Sequence, residues 1–109
     1  MAKTELLSGT LDLLVLRVLN GGPLHGFAIA ERIHVLSREV LSVEEGSLYP
    51  ALYRIEEKGW IEAEWGQSEN NRRAKFYRLT KAGRKRLETE EQTWNRVAQA
   101  IGWVIKSAQ

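Results

Sequence analysis

The sequence predicts a mainly α-helical domain with one small β-hairpin and a long C-terminal helix. Apolar residues recur with helical period near residues 10–19, 25–37 and 45–58. Two short segments, 60–65 and 74–79, then alternate apolar and polar residues on either side of a polar loop, as the strands of a hairpin do. A final helical segment occupies the remaining sequence. This order of helices, hairpin and helix is that of a winged helix-turn-helix domain.

The first predicted helix is apolar on nearly every face. It is expected to begin near Thr10, with Ser8 or Thr10 as its N-cap, and to end at Leu19 before the break at Gly21 to Pro23. A helix that is apolar all round is buried all round. Because so short a chain offers little to cover it, we expect a second subunit to supply the cover.

The second predicted helix, from about His25 to Ser37, carries an apolar stripe on one side. Its predicted core residues are Phe27, Ile29, Ala30, Ile33 and Leu36, and its outward residues are Glu31, Arg32 and His34. Residues 38–43 are expected to form a linker or a very short strand. His25, at the helix start, is interpreted as a cap or packing residue rather than as a catalytic base.

The third predicted helix begins at Glu45 or Gly46 and ends at Lys58. Its predicted core residues are Leu48, Leu52 and Ile55. Gly59 suits the left-handed conformation that follows a helix C-terminus. Pro50 is expected in the first turn, where its missing N–H costs nothing.

Positive charge is concentrated in the hairpin and in the start of the helix behind it. The net charge of the chain is only +2, yet eight basic residues and no acid lie within 72–86. They are Arg72, Arg73, Lys75, Arg78, Lys81, Arg84, Lys85 and Arg86. Such a concentration favours a polyanion with regularly spaced charge, which usually means nucleic acid. The alternative is a solvated hairpin that only keeps the protein soluble.

The outward face of the third helix and the hairpin, or wing, are the predicted DNA-contacting surfaces. A recognition helix presents its first turns to base edges in the major groove. The predicted contact residues are Ser47, Tyr49, Pro50, Tyr53 and Arg54 on helix 46–58, and Arg72, Arg73 and Lys75 in the 66–75 wing. Because glutamates such as Glu44, Glu45 and Glu57 surround the helix, most of the attraction to phosphate is expected from the wing.

The last predicted helix is capped by Thr80 and continues almost to Gln109. Its apolar residues at heptad spacing are Leu87, Trp94, Val97, Ile101, Val104 and Ala108. A helix longer than the headpiece needs indicates a dimerisation helix at 84–109 behind a DNA-binding domain at 1–83. Two copies of Trp94 at the two-fold axis could hold a flat aromatic ligand between their rings, or Trp94 could simply fill the dimer interface.

Other classes of function have little support in the sequence. The chain has no Cys, so disulfides and thiolate zinc sites are excluded. No apolar segment approaches the ~20 residues of a membrane helix, and a cytoplasmic protein is expected. His25 and His34 are not spaced to share a helical face, and Ser47 has no neighbouring His to activate it. We therefore expect neither an enzyme nor a cofactor or metal site.

Four segments of the chain carry distinctive combinations of residues. They are GTLDLLVLRVL, LHGFAIAERI, GSLYPALYRIEEKGWI and RRAKFYRLTKAGR, which together cover nearly the whole sequence. These segments resemble the PadR family of bacterial transcriptional regulators, in its short form with a single C-terminal helix. The departures from the family pattern are mild, since Phe27 stands where Tyr is common and Ser47 where Thr is frequent.

The resemblance implies a winged helix-turn-helix homodimer in which the last helix packs against the first helix of its mate. It also implies binding to a palindromic operator, usually as a repressor, with release by small molecules in some members. In some relatives a Trp at the place of Trp94 lines an aromatic-binding cavity between subunits. The residues expected at the dimer interface are Leu11, Leu14, Val18, Leu87, Trp94, Val97, Ile101 and Val104.

Two other kinds of partner are compatible with the pattern. The chain could be a winged-helix module that binds an acidic protein through its basic wing. RNA binding is a weaker alternative, because no exposed aromatic sheet face is evident on which bases would stack. Non-specific affinity for duplex DNA that falls steeply with added salt would distinguish DNA binding from both.

Overall fold

The computed structural model describes the backbone of residues 2–107 and the side chains of residues 9–107. In that part of the chain it contains α1 (Ala2–Leu19), β1 (Leu24–His25), α2 (Gly26–Leu36), α3 (Glu45–Glu57), β2 (Ile61–Gln67), β3 (Arg73–Leu79) and α4 (Lys81–Lys106). The predicted fold class is confirmed: four helices accompany a small antiparallel sheet. The sheet has three strands rather than two, in the order β1-β3-β2.

Helix α1 begins earlier than predicted. Ser8 and Thr10 lie inside it, so the prediction that either residue caps it was wrong. The physical reason is that residues 2–7 contain no Gly or Pro to stop a helix, and the single Gly9 costs only about 1 kcal/mol.

The chain itself buries much of residues 9–19 of α1, which corrects the expectation that a second subunit would have to cover this segment. Helices α2, α3 and α4 and strand β3 all pack against α1. The residues that they bury on it are Leu13, Val15, Leu16 and Leu19. Three further apolar residues are only partly buried, namely Leu11, Leu14 and Val18. Among residues 9–19, the apolar surface that α1 still offers therefore includes these three.

Helix α2 is capped as predicted, because the ring Nδ1 of His25 accepts a hydrogen bond from the Ala28 N–H at 3.2 Å. Ile29 and Ile33 are buried, as expected. The predicted core stripe is wrong at its two ends, which are Phe27 at 69% exposure and Leu36 at 64%. Phe27 directly follows the buried Gly26, so its side chain lies on a different face of the helix. Leu36 borders an open cavity beside α1.

The segment after α2 is a linker and forms no strand. Arg38 and Glu39 adopt positive φ angles of 57° and 67° there. His34, predicted to point outward, is half-buried and donates its Nδ1–H to the Leu41 carbonyl at 2.8 Å. The short third strand is formed instead by Leu24–His25, which pairs with β3.

Helix α3 buries its predicted core residues, Leu48, Leu52 and Ile55, together with Ala51. Gly59 has φ 78°, which confirms its place after the helix C-terminus. The prediction for Pro50 was wrong, because α3 begins at Glu45 and Pro50 lies in the second turn. Its ring deprives the Gly46 carbonyl of the usual helical hydrogen bond, but Gly46 is exposed and water can replace that bond.

The hairpin pairs Ile61 with Leu79 and continues in register to Gln67 with Arg73. Its inner face carries the buried side chains of Ile61, Tyr77 and Leu79, as the alternation predicts. The loop at 68–72 is closed by a hydrogen bond from the Ser68 N–H to the Arg72 carbonyl at 2.8 Å. Within that loop Asn71 adopts a φ of 62°, a conformation that asparagine tolerates.

Helix α4 begins at the predicted cap, because the Thr80 hydroxyl accepts a hydrogen bond from the Gly83 N–H at 2.9 Å. Gly83 and Leu87 are buried in the domain core, so the predicted division at 83/84 falls inside one continuous helix. Ala108, the last predicted heptad position, lies outside the described residues. No described helix is both long and apolar enough to cross a membrane.

Candidate nucleic-acid interface

Helix α3 presents a polar and aromatic surface opposite its buried side. The exposed residues of its first three turns include Ser47, Tyr49, Pro50 and Tyr53. Tyr49 is 46% exposed and Tyr53 66%. Hydroxyl donors on the first turns of a helix suit contact with phosphate oxygens and base edges.

The side chain of Tyr49 also lies against the first turn of α2. A β-carbon at Gly26 would be 2.5 Å from the Tyr49 hydroxyl oxygen. Only glycine can therefore stand at position 26 while the Tyr49 ring keeps this position. The contact brings the start of α2 to the exposed side of α3.

Arg54 differs from the other predicted contact residues of α3. Its guanidinium donates to the Asp12 carboxylate of α1 at 2.8 Å. Burial raises the pKa of Asp12 above the usual 3.8, while the charge and the hydrogen bond of Arg54 act to lower it. Arg54 thus has a partner inside the chain, and its contact with DNA stays a prediction.

The tip of the wing carries the predicted cations Arg72 and Arg73. The Arg72 side chain is exposed and takes part in no ion pair among residues 9–107. The guanidinium of Arg73 lies 4.9 Å from the ring centroid of Trp65, which holds it by a cation–π contact on the same face of the hairpin. Both charges are therefore presented at the end of the domain.

Three of the other basic residues of the 72–86 segment form ion pairs within the chain. Lys75 lies 3.9 Å from the Glu56 carboxylate, and Arg78 lies 3.1 Å from that of Glu62. Arg86 pairs with Glu90 and stacks on the Trp60 ring at 4.7 Å. The uncompensated positive charge of the hairpin is thus concentrated at Arg72 and Arg73, and Lys75 contributes less than its sequence position indicates.

One polar contact at the wing was not predicted from the sequence. His25 Nε2 lies 3.3 Å from the Glu69 Oε1 atom in the 68–72 loop. The two residues are 44 positions apart, and no local pattern marks Glu69 as a partner of His25. The α2 start thus contacts α3 through Gly26 and the wing loop through His25.

Trp94, the predicted ligand-binding residue, is 48% exposed on α4. An open cavity of about 520 Å³ lies elsewhere, between the ends of α1 and α2. Its lining includes Arg17, Arg32 and Leu36 but not Trp94. The ligand site at Trp94 therefore stays a prediction.

Comparison with known proteins identifies the class to which this arrangement belongs. The model of the transcriptional regulator PadR-like family matches residues 15–89, which include α2, α3 and the whole hairpin. The chain belongs to the PadR-like family, whose members are transcriptional regulators that bind DNA and typically dimerise, and are not enzymes.

Solved structures of similar proteins agree with this assignment. A transcriptional regulator from Clostridium thermocellum is 26% identical, with a TM-score of 0.84 over 94% of this chain and 99% of that one. A PadR family regulator from Eggerthella lenta is 29% identical, with a TM-score of 0.78 over 97% and 90%. A PadR-like regulator from Bacillus cereus shares the fold, with a TM-score of 0.79 at 24% identity over 94% and 98%.

Proposed function

We propose that this member of the family is a dimeric repressor that binds a palindromic operator through helix 46–58 and the 66–75 wing. The observation that carries the proposal is the meeting of three elements at the start of α2. Gly26 contacts Tyr49 of α3, and His25 contacts Glu69 of the wing loop. The exposed side of α3 and the cationic wing tip are consequently held at one end of the domain, as simultaneous contact with a duplex requires.

The two surfaces have different roles in the proposed complex. Ser47, Tyr49, Pro50 and Tyr53 would lie in the major groove, where hydroxyl groups reach base edges or phosphate oxygens. Arg72 and Arg73 would bind the phosphate backbone beside it and supply most of the electrostatic attraction. Arg54 is expected to contribute less to DNA binding, since its guanidinium is already paired with the Asp12 carboxylate.

Dimerisation is supported by the apolar face of α4. Trp94, Val97, Ile101 and Val104 recur at heptad spacing and are 44–74% exposed in the single chain. The partly buried α1 residues Leu11, Leu14 and Val18 offer a complementary apolar surface on the mate. Leu87 is not part of the proposed dimer interface, because it is already buried in the core of its own chain.

Two-fold symmetry would place two α3 helices in successive major grooves. The operator is then expected to contain two inverted half-sites about 34–36 Å apart, which is one turn of the duplex. A dimer seated there would block access to a promoter, which supports repression. Selection of bound fragments from a random duplex pool would identify the half-sites. Transcription from a promoter that carries the selected site should fall when the protein is added.

The proposal includes release from DNA by a small aromatic effector. Trp94 is half-exposed within the apolar stripe of α4, so two copies near the two-fold axis would present facing indole rings. Tryptophan fluorescence of the wild type and of Trp94→Leu would be measured during titration with flat aromatic compounds. Quenching that is lost in the variant would support the site, and equal quenching in both would contradict it.

DNA binding itself is tested by titration with random-sequence duplex at several salt concentrations. The wild type should bind with an affinity that falls steeply as salt rises. Arg72→Ala with Arg73→Ala should weaken binding to all duplex sequences alike and flatten the salt slope by about two units at most. A winged-helix module for acidic proteins would bind random duplex with little affinity at any salt concentration.

The matched control for the wing variant is Arg96→Ala with Lys106→Ala. It removes the same two charges, but from the exposed C-terminal half of α4. Its affinity and salt slope should remain close to those of the wild type. Equal losses in the two double variants would mean that net charge alone drives binding and would refute the role of the wing.

A further inference from the structure

His25 makes two directional contacts through its two ring nitrogens. Nδ1 accepts the hydrogen bond from the Ala28 N–H that caps α2. In the neutral ring the hydrogen therefore resides on Nε2, which donates to the Glu69 carboxylate at 3.3 Å. A single side chain thus connects the first turn of α2 to the wing loop.

The imidazole of His25 is held firmly on the domain side of this connection. Its side chain is only 13% exposed. It lies edge-on to Phe76 of β3 at a centroid distance of 5.4 Å and is stacked with Phe27 at 6.5 Å. The ring is fixed by the cap and by these aromatic contacts, so its Nε2–H points from a defined position.

Glu69, by contrast, lies on the exposed loop and is 84% accessible to solvent. The hydrogen bonds that join Ser68 to Arg72 and Asn71 to Ser68 are both internal to the loop. They shape the loop but do not fix its tilt relative to the helices. The pKa of Glu69 is lowered by a bond to its own backbone N–H and by the His25 bond, so the carboxylate is charged at neutral pH.

We infer that His25 and Glu69 act as positioning residues that set the orientation of the 68–72 loop, at the tip of the wing, relative to helix α3. A carboxylate in a loop that approaches phosphate is unfavourable by charge alone. A bond to a fixed imidazole gives it a compensating role, because Arg72 lies in the same loop and Arg73 directly follows at the start of β3. The inference deepens the proposed DNA binding and rests on it.

The size of the effect follows from the exposure of the pair. Because Glu69 is exposed, the contact is weak, and its loss should change DNA affinity by only about two- to fivefold. The salt slope should not change when the contact alone is lost, since the number of bound phosphates stays the same. An orientation effect is thereby separated from a loss of charge contacts.

The central experiment compares Glu69→Gln with Glu69→Ala, which remove the same negative charge. Gln keeps an oxygen that can accept from His25 Nε2–H, whereas Ala keeps none. Affinity for duplex DNA should be about two- to fivefold lower for Glu69→Ala than for Glu69→Gln, at equal salt slope. Equal affinities would overturn the inference, because Glu69 would then act through charge alone.

His25→Asn closes the cycle, since Asn retains an N-cap oxygen but is too short to reach Glu69. Adding Glu69→Ala to His25→Asn should lower affinity no further, as expected for two residues that share one contact. Independent losses that add would contradict the assignment.

A second readout does not require DNA. Backbone amide hydrogen exchange in the 68–72 loop should be faster in Glu69→Ala than in Glu69→Gln. Should the wild type fail to bind any duplex, the proposed function would fail, and exchange would still decide whether the contact orders the loop. DNA binding by the wild type with identical exchange and affinity in both variants would refute the contact alone.

Discussion

The backbone carbonyl oxygen of Trp60 lies so close to the α-carbon of Gly83 that position 83 has no room for a side chain. The same carbonyl accepts a hydrogen bond from the Thr80 N–H at 3.0 Å. The Thr80 hydroxyl donates to the Gly59 carbonyl at 2.7 Å. The first turn of α4 is consequently fixed to the chain that enters β2, and this contact determines the direction in which α4 leaves the domain.

Replacing Gly83 with alanine should destabilise the protein by about 3 kcal/mol, because the new methyl group meets backbone that cannot move aside. Urea denaturation at a fixed protein concentration measures the effect. Gly46→Ala is the control, because its added methyl would have no neighbour within 4 Å. The control should be neutral or stabilising by about 0.5–1 kcal/mol. Equal stability of the two variants would contradict the close contact.

The contact between Gly26 and Tyr49 should control DNA affinity more than stability. Alanine at position 26 would lie 2.5 Å from the Tyr49 hydroxyl oxygen, so the half-exposed ring must swing away from its place on the exposed side of α3. We expect a loss of duplex affinity of about tenfold, equivalent to about 1.4 kcal/mol, with a small change in melting temperature.

Tyr49→Ala provides the test of that mechanism. Tyr49→Ala removes the three atoms nearest to a β-carbon at position 26, so the double variant should bind DNA as Tyr49→Ala alone does. A further loss in the double variant would show that Gly26 acts by some route other than Tyr49.

The pair of Arg54 and Asp12 predicts a pH-dependent stability. Burial already raises the pKa of Asp12, and Arg54→Met removes the charge and hydrogen bond that oppose the rise, so the pKa should increase further. An acid whose folded pKa is raised favours the folded state below its unfolded pKa, and that contribution is lost as pH rises through the folded value. Relative to the wild type, Arg54→Met should therefore lose about 1 kcal/mol at pH 7 and progressively less toward pH 4.

Carboxyl NMR titration of Asp12 and urea denaturation between pH 4 and pH 8 would measure this pair. Adding Asp12→Asn to Arg54→Met removes the titrating group, so the additional pH dependence should disappear. Persistence of the same pH dependence in the double variant would assign it to another group.

The apolar face of α4 predicts a dimer that a single charge can disrupt. Ile101 is 51% exposed between Val97 and Val104 at heptad spacing, so Ile101→Glu would place a carboxylate at the centre of the proposed interface. Sedimentation velocity should show a shift from dimer to monomer at micromolar concentration, with loss of operator affinity. Gln99→Glu, on the opposite side of the helix, should remain dimeric. A monomeric wild type would refute the interface.

Features that depend on neighbouring residues were predicted well from the sequence. Thr80 and His25 cap helices, Gly59 and Asn71 adopt positive φ, and the alternation in the hairpin separates its two faces, because each depends on only a few adjacent positions. The errors arose at the ends of elements. The start of α1 and the turn of α3 in which Pro50 lies both depend on where a helix begins, and local propensity defines such boundaries weakly.

The sequence by itself determined the family, the order of the four helices and the hairpin, and the concentration of basic residues near the wing. Only the tertiary structure decided which basic side chains remain available to a ligand, because the partners of Lys75, Arg54 and His25 belong to other elements. Arg54 meets Asp12 across 42 residues, and His25 meets Glu69 across 44. Ion pairs and hydrogen bonds act over a few ångströms in space, and separation along the chain does not reveal which side chains the packing of helices and sheet brings within that range.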